Sequence, residues 1–177
     1  EIGSGLVGSE MCIRDRVKKL DYECELAVVL GRDARDVPAG QTRDYIFGYT
    51  ILNDVSARDV QTAHKQWYFG KSLDGFTPIG PCIVTADAFA DYPPRLGIRS
   101  FVNGEKRQDS NTALQIFDID HVIAELSQGM TLKAGTIIAT GTPAGVGMGM
   151  DPPQFLKPGD VVRCEIDGIG TLTNPVK

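Results

Sequence analysis

The stretch Leu20–Gly31, "LDYECELAVVLG", constrains this chain more than any other. Residues 26–30 are Leu, Ala, Val, Val and Leu, an apolar run suited to a strand buried on both faces. Glu23 and Glu25 stand directly upstream, one residue apart. Side chains alternate along a strand, so both glutamates share one face and Tyr22, Cys24 and Leu26 share the other. Their Cα atoms lie roughly 6.5–7 Å apart at a rise of about 3.3 Å per residue. Two carboxylates at that spacing converge on one point and repel unless a cation lies between them. Hard divalent ions such as Mg²⁺, Mn²⁺ and Ca²⁺ favour such oxygen donors. A third acid, Asp54, stands where the strand "YTILN" ends and a helix begins, a place where sites are commonly built. On spacing alone two alternatives stay open. The glutamates could face solvent on an edge strand beside Lys18 and Lys19, and Asp54 could cap a helix.

The rest of the chain frames this stretch. It has 177 residues, enough for one domain with a real core, with 42% hydrophobic and 23% charged residues. A net charge of −5 carries no basic footprint for nucleic acid or an anionic membrane. The apolar runs are too short to span a bilayer. Cys12, Cys24, Cys82 and Cys164 show no paired spacing and suit reduced thiols in a cytoplasmic protein.

Strands are expected over Asp21–Leu30 and Tyr45–Asn53, in "FTPIGPCIVTA", and, short and buried, in "GTIIATGTP". "IRSFVNGEKRQD" reads as a hairpin turning on Asn103-Gly104 in a type I′ turn. "KPGDVVRCEIDGIGTLTNPV" reads as a closing hairpin with Asp167-Gly168 near its turn. "NDVSARDVQTAH" enters a helix through a Ser56/Asp59 capping box. "DIDHVIAELSQGMTL" forms a second helix, capped by Asp118 or Asp120, with Val122, Ile123, Leu126 and Met130 on one face. Strands outnumber helices and do not alternate with them, which predicts a β-rich α+β domain.

Glu1–Arg16 stands apart. It has no helical or strand period, and Leu6–Arg16, "LVGSEMCIRDR", resembles a translated transposase-type sequencing adaptor. It is expected to be a non-native tail, with the natural protein extending upstream of Val17.

Six segments, in order, resemble the fumarylacetoacetate hydrolase family: "LDYECELAVVLG", "YTILNDVSARDVQ", "GKSLDGFTPIGP", "VNGEKRQDSNT", "LKAGTIIATGTPAGVG" and "LKPGDVVRCEIDGIGTLTNPV". They span nearly all of 20–177. "GKSLDGFTPIGP" with "SNT" is similar to the small bacterial-type members: hydroxymuconate isomerases or decarboxylases, acylpyruvate hydrolases and oxaloacetate tautomerases. The resemblance implies a β-roll of mixed sheets, usually dimeric, with Mg²⁺, Mn²⁺ or Ca²⁺. It implies that Glu23, Glu25 and Asp54 hold the metal, and that Arg58 and Gln61 line the site. Lys71 would face the substrate and act with Arg58, and Thr142 would contact the substrate. The implied chemistry is C–C hydrolysis, decarboxylation or keto–enol isomerisation of small 2-oxo or 2-hydroxy-enol carboxylates, as in aromatic catabolism. The resemblance also implies an upstream lid carrying a His/Glu pair, which 17–177 is expected to lack. Of the two histidines, His64 is the better placed to border the pocket and His121 sits in a helix's first turn. The alternatives are structural: Lys71 as a surface lysine, Arg58 ion-paired with Asp54 or Asp59, Thr142 bonded to its own turn. The alternative function is a non-catalytic metal- or ligand-binding β domain.

Overall fold

A computed structural model of the chain describes residues 17–177. The adaptor-like reading of Glu1–Arg16, Cys12 included, falls outside the described residues. The chain folds as β1 (Leu20–Asp21), β2 (Cys24–Leu30), β3 (Ile46–Asn53), β4 (Ser56–Ala57), α1 (Arg58–His64), α2 (Tyr68–Lys71), β5 (Ile79–Thr85), β6 (Gly97–Val102), β7 (Glu105–Asn111), α3 (Ile119–Gly129), β8 (Ile137–Ala139), β9 (Val161–Ile166) and β10 (Gly170–Pro175). This is the expected β-rich α+β domain.

Two four-stranded sheets dominate, ordered β5-β3-β2-β8 and β10-β9-β6-β7, and β1 pairs with β4 in a small third sheet. The pairings between these strands are antiparallel, so the roll is built from hairpins and returning strands. The core lies between the two large sheets. Cys24, Leu26, Val28 and Leu30 share it with Ile98, Val102, Val162, Cys164, Ile166 and Leu172. Each buried Leu, Ile or Val contributes roughly 1.5–3 kcal/mol relative to exposure. Ala27 and Val29 on the opposite face of β2 are buried too, in a strand central to its sheet. That explains the continuous apolar run.

Local sequence explains the boundaries. Asn103 and Gly104 have φ of 51° and 84°, the paired positive values of the expected I′ turn. Pro81 lies in β5, an edge strand, where a missing N–H is tolerated. Asp118 caps α3 by accepting from the His121 N–H. Cys24, Cys82 and Cys164 are free thiols. No helix among the described residues is long and apolar enough to cross a membrane.

Four expectations change. The first strand is interrupted at Tyr22-Glu23, where side chains replace ladder bonds: Asn53 Oδ1 accepts from the Glu23 N–H and Gln108 Oε1 from the Cys24 N–H. The Ser56/Asp59 capping box does not form. Ser56 pairs with Asp21 in β4, Ala57 is the N-cap, and Asp59 accepts from the N–H groups of Val60 and Lys18. The buried stripe of α3 is Ile119, Ile123, Ala124 and Ser127, while Leu126 and Met130 are exposed. Ser127 hides in that stripe because its hydroxyl accepts from Val37 N and donates to Ala124 O. Finally, β8 is an edge strand with only Ile138 buried.

Candidate functional site

The site forms where β2 begins and β3 ends. Cys24 pairs with Asn53 in the antiparallel register, so the next step outward sets Glu23 opposite Asp54. The Asp54 N–H donates to the Glu23 carbonyl at 2.9 Å and closes that step. Glu25, paired with Leu52, lies two pairs further in and is 3% exposed. Glu23, Glu25 and Asp54 each present a carboxylate oxygen, and these oxygens lie within 4.8 Å of one another. The alternation along "ECE" and the register of one hairpin thus bring together three acids separated by up to 31 positions in sequence.

Lys71 ends α2 and reaches this cluster. Its Nζ donates to Glu23 Oε2 at 3.0 Å, to Ser56 Oγ at 3.0 Å and to Asp54 Oδ2. Lys71 is therefore no surface lysine; its side chain is 20% exposed. Gly70 makes the approach possible, since a Cβ there would sit 2.8 Å from the Gln61 backbone nitrogen. Arg58 begins α1. Its Nε lies 2.9 Å from Asp21 Oδ2 and its Nη1 2.6 Å from Glu23 Oε1. The ion pairs of Arg58 are thus with Asp21 and Glu23, in place of Asp54 or Asp59. Gln61, also buried, accepts from Arg58 Nη1 at 3.2 Å.

Thr142 lies in the loop after β8. Its hydroxyl donates to the Cys24 carbonyl at 2.9 Å and accepts from Gln108 Nε2 at 2.8 Å. It bonds across to β2 and β7, not to its own turn. With its proton committed, the hydroxyl offers a ligand only its remaining lone pair. The neighbouring Gly141 N–H donates to Glu25 Oε2 at 2.8 Å.

Burial and charge set the electrostatics. Burial pushes the Glu25 carboxyl up to about 8; the Gly141 N–H opposes this and the charges of Asp54 and Glu23 add to it. Burial also raises Asp54, against the hydrogen bond from Lys71. For Lys71, burial pulls downward, but Asp54 and Glu23 outweigh it and the ammonium is held charged. The donors are three carboxylates with hard oxygens, and one of them, Glu25, has no ion pair among the described residues. That donor set fits a hard divalent ion better than a soft one.

Three groups were not assigned to the site from sequence. Asp21 is buried and holds Arg58. Gln108 is buried and ties Cys24, Thr142 and Pro143 together. Ser56 accepts from Lys71. Only Asp21 left a local signal, because it extends the 23/25 alternation by one more acid. His121 stacks on Phe117 at 4.7 Å and has no contact with the acids. Of His64 the structure describes the backbone alone. A cavity of about 440 Å³ lies beside Gly141 and Thr142, lined by Leu26, Leu114, Ile116 and Phe117 among others, with no charged side chain.

A β-roll that brings three carboxylates together beside a lysine and an arginine defines a class: β-rolls with an acidic cluster whose oxygen donors suit a divalent cation. Residues 4–177 match the fumarylacetoacetate (FAA) hydrolase C-terminal family, and the chain belongs to it. The chain is 50% identical over 158 residues to an oxaloacetate tautomerase of Bacillus subtilis, covering 89% of this chain and 52% of that protein. It superposes with a TM-score of 0.91 on a fumarylacetoacetate hydrolase of Exiguobacterium antarcticum at 50% identity, over 95% of this chain and 61% of that one. A fumarylpyruvate hydrolase of Pseudomonas aeruginosa, solved with Mn²⁺ and pyruvate, gives 0.84 at 29% identity, over 94% of this chain and 70% of that one. The chain spans about half the length of the curated relatives it matches. Together these make it a small bacterial-type member of the family.

Proposed function

We propose that the chain is the catalytic core of a divalent-metal enzyme acting on small 2-oxo or 2-hydroxy-enol carboxylates. The observation that carries this reading is the convergence of Glu23, Glu25 and Asp54 within 4.8 Å beside Lys71. The three carboxylates would hold Mg²⁺, Mn²⁺ or Ca²⁺. Bound there, the cation supplies Lewis acidity toward a 2-oxo carboxylate. Lys71 supplies an ammonium whose three protons are committed to Glu23, Asp54 and Ser56. Once a cation takes over one of those carboxylates, the released proton would be donated to the substrate's carboxylate or its developing enolate oxygen. Arg58 holds Glu23 in place, and Gln61 fixes Arg58. Thr142 accepts from a substrate hydroxyl, in keeping with its committed proton.

Keto–enol tautomerisation of a 2-oxo dicarboxylate is the reaction to assay first, supported by the identity to the tautomerase. C–C hydrolysis and decarboxylation run through the same enolate and stand next. A homodimer, a cytoplasmic location and a role in aromatic catabolism belong to the same proposal and rest on family resemblance. Titration calorimetry with Mn²⁺ or Mg²⁺, followed by assays on oxaloacetate, an acylpyruvate and a hydroxymuconate, tests the reading. Cation binding lost in Glu25→Ala, with turnover on one substrate, supports it. Binding without turnover on any substrate turns the reading into a non-catalytic metal-binding domain. Equal binding by Glu25→Ala removes the site.

A further inference from the structure

We infer that Asp21 is a positioning residue of the site: it fixes the Arg58 guanidinium, which in turn holds Oε1 of Glu23 and leaves Oε2 as the oxygen that Lys71 and the cation would share. The inference rests on the cation site proposed above.

Asp21 is fully buried. A buried carboxylate is strongly unfavourable unless paired and hydrogen-bonded. Here both oxygens are saturated. Oδ1 accepts from the N–H groups of Gly147 at 2.7 Å and Tyr22 at 3.0 Å. Oδ2 accepts from the Met148 N–H at 3.0 Å and from Arg58 Nε at 2.9 Å. Amides alone would suffice to pin the loop at Gly147-Met148. The bond to Nε does something further, because it orients the plane of the guanidinium. Nη1 then points at Glu23 Oε1, 2.6 Å away, and at Gln61 Oε1, 3.2 Å away. Glu23 Oε1 is thereby held by Arg58, and Oε2 is the oxygen that accepts from Lys71. A lysine at position 58 would keep the charge but not the fork, since one Nζ cannot reproduce separate bonds from Nε and Nη1.

The same carboxylate anchors the loop that follows Thr142. Tyr22, the residue next to Asp21, donates from its hydroxyl to the Gly145 carbonyl at 2.8 Å. Asp21 thus joins β1, α1 and the Gly145–Met148 loop at one point behind the metal ligands.

The test uses the present chain with Asp21→Asn, Arg58→Lys and the double variant. In Asp21→Asn an amide donor faces one of four existing donors. Three measurements are made: exchange of the Arg58 Nε–H by ¹⁵N NMR without metal, thermal melting, and Mn²⁺ affinity by calorimetry. The parent Nε–H is expected to exchange slowly, and to exchange fast in Asp21→Asn. Mn²⁺ affinity is expected to fall about 10- to 100-fold in each single variant, as for loss of groups that orient metal ligands. The double variant should bind no more weakly than the weaker single, because both act through one bridge. Parent-like affinity in a folded Asp21→Asn, or losses that add in the double variant, overturns the inference. If Asp21→Asn does not fold, Arg58→Lys decides: parent-like affinity overturns the inference, and a loss of about 10-fold supports it. If the parent binds no Mn²⁺ at all, the cation reading fails. The inference then stands or falls on the Nε–H alone, and free exchange in the parent overturns it.

Discussion

The Gly141 N–H donates to Glu25 Oε2 at 2.8 Å, so the most buried of the three clustered carboxylates and the loop after β8 form one unit. Glu25 is pushed up to about 8 from an ordinary 4.5, chiefly by burial. The folded chain therefore keeps a proton that the unfolded chain has released. The stability linked to this proton is complete below pH 4.5 and is lost as pH rises through about 8. Melts of the metal-free chain should show the melting temperature falling across that window. Glu25→Gln stays neutral and still accepts from Gly141, so its curve should be flatter and higher by several degrees at pH 8, at about 2–4 °C per kcal/mol. Parallel curves would refute the assignment.

The same carboxyl links cation uptake to protons. Glu25 must ionise to ligate, so binding below pH 8 should release a proton and Mn²⁺ affinity should rise with pH up to that point. Calorimetry in two buffers of different ionisation heat measures the released proton directly. A binding heat that is independent of buffer contradicts the prediction.

Lys71 supplies the positive charge between Glu23 and Asp54. Lys71→Met should lower metal-free stability by up to about 3 kcal/mol, the low end for breaking a buried pair. The low end applies because 20% of the Lys71 side chain still meets solvent. The variant should bind Mn²⁺ more tightly, since the ion no longer competes with an ammonium, yet turn over at least about 100-fold more slowly. Weaker Mn²⁺ binding in Lys71→Met would count against the shared site.

Gly70 sets the distance between α2 and α1. A Cβ there would lie 2.8 Å from both the Cβ and the nitrogen of Gln61. Backbone cannot yield cheaply, so Gly70→Ala should force α2 outward and carry Lys71 with it. A loss of about 1–3 kcal/mol is expected in urea melts, as for overpacking elsewhere. Turnover should fall further than stability alone explains. Gly70→Ala with parent stability and activity would show that the approach is not needed.

Thr142 bridges β2 and Gln108 through one hydroxyl. Thr142→Val keeps the shape but leaves the Cys24 carbonyl and one Gln108 proton without their partner. It should lose about 1–3 kcal/mol, the scale for an unsatisfied buried group, while Thr142→Ser stays near the parent. Equal melts for Val and Ser would make the bridge energetically neutral.

Much of the fold was legible because its signals are local. An Asn-Gly pair needs two positive φ values and gets them. The α3 cap was narrowed to Asp118 or Asp120 because a cap bond spans only about three residues, and Asp118 takes it. The face of α3 was misjudged because Ser127, polar by type, is buried with its hydroxyl doubly bonded. Ser56 was misjudged because β1, from 35 positions upstream, claims its backbone before the helix can.

By itself, then, the sequence determined that Glu23 and Glu25 stand one residue apart at the head of a buried strand, and which family's segments surround them. Alternation and turn chemistry act over a few residues, and any stable fold of this chain must obey them. Tertiary structure decided everything that depends on distant partners. Antiparallel return of β3 set Asp54 across from Glu23, and close packing of α2 on α1 delivered Lys71. A buried Asp21, matched by four donors from three parts of the chain, aimed Arg58 at Glu23. Charges are placed by whichever groups can neutralise them after the chain has folded back on itself, and no local period records which those will be.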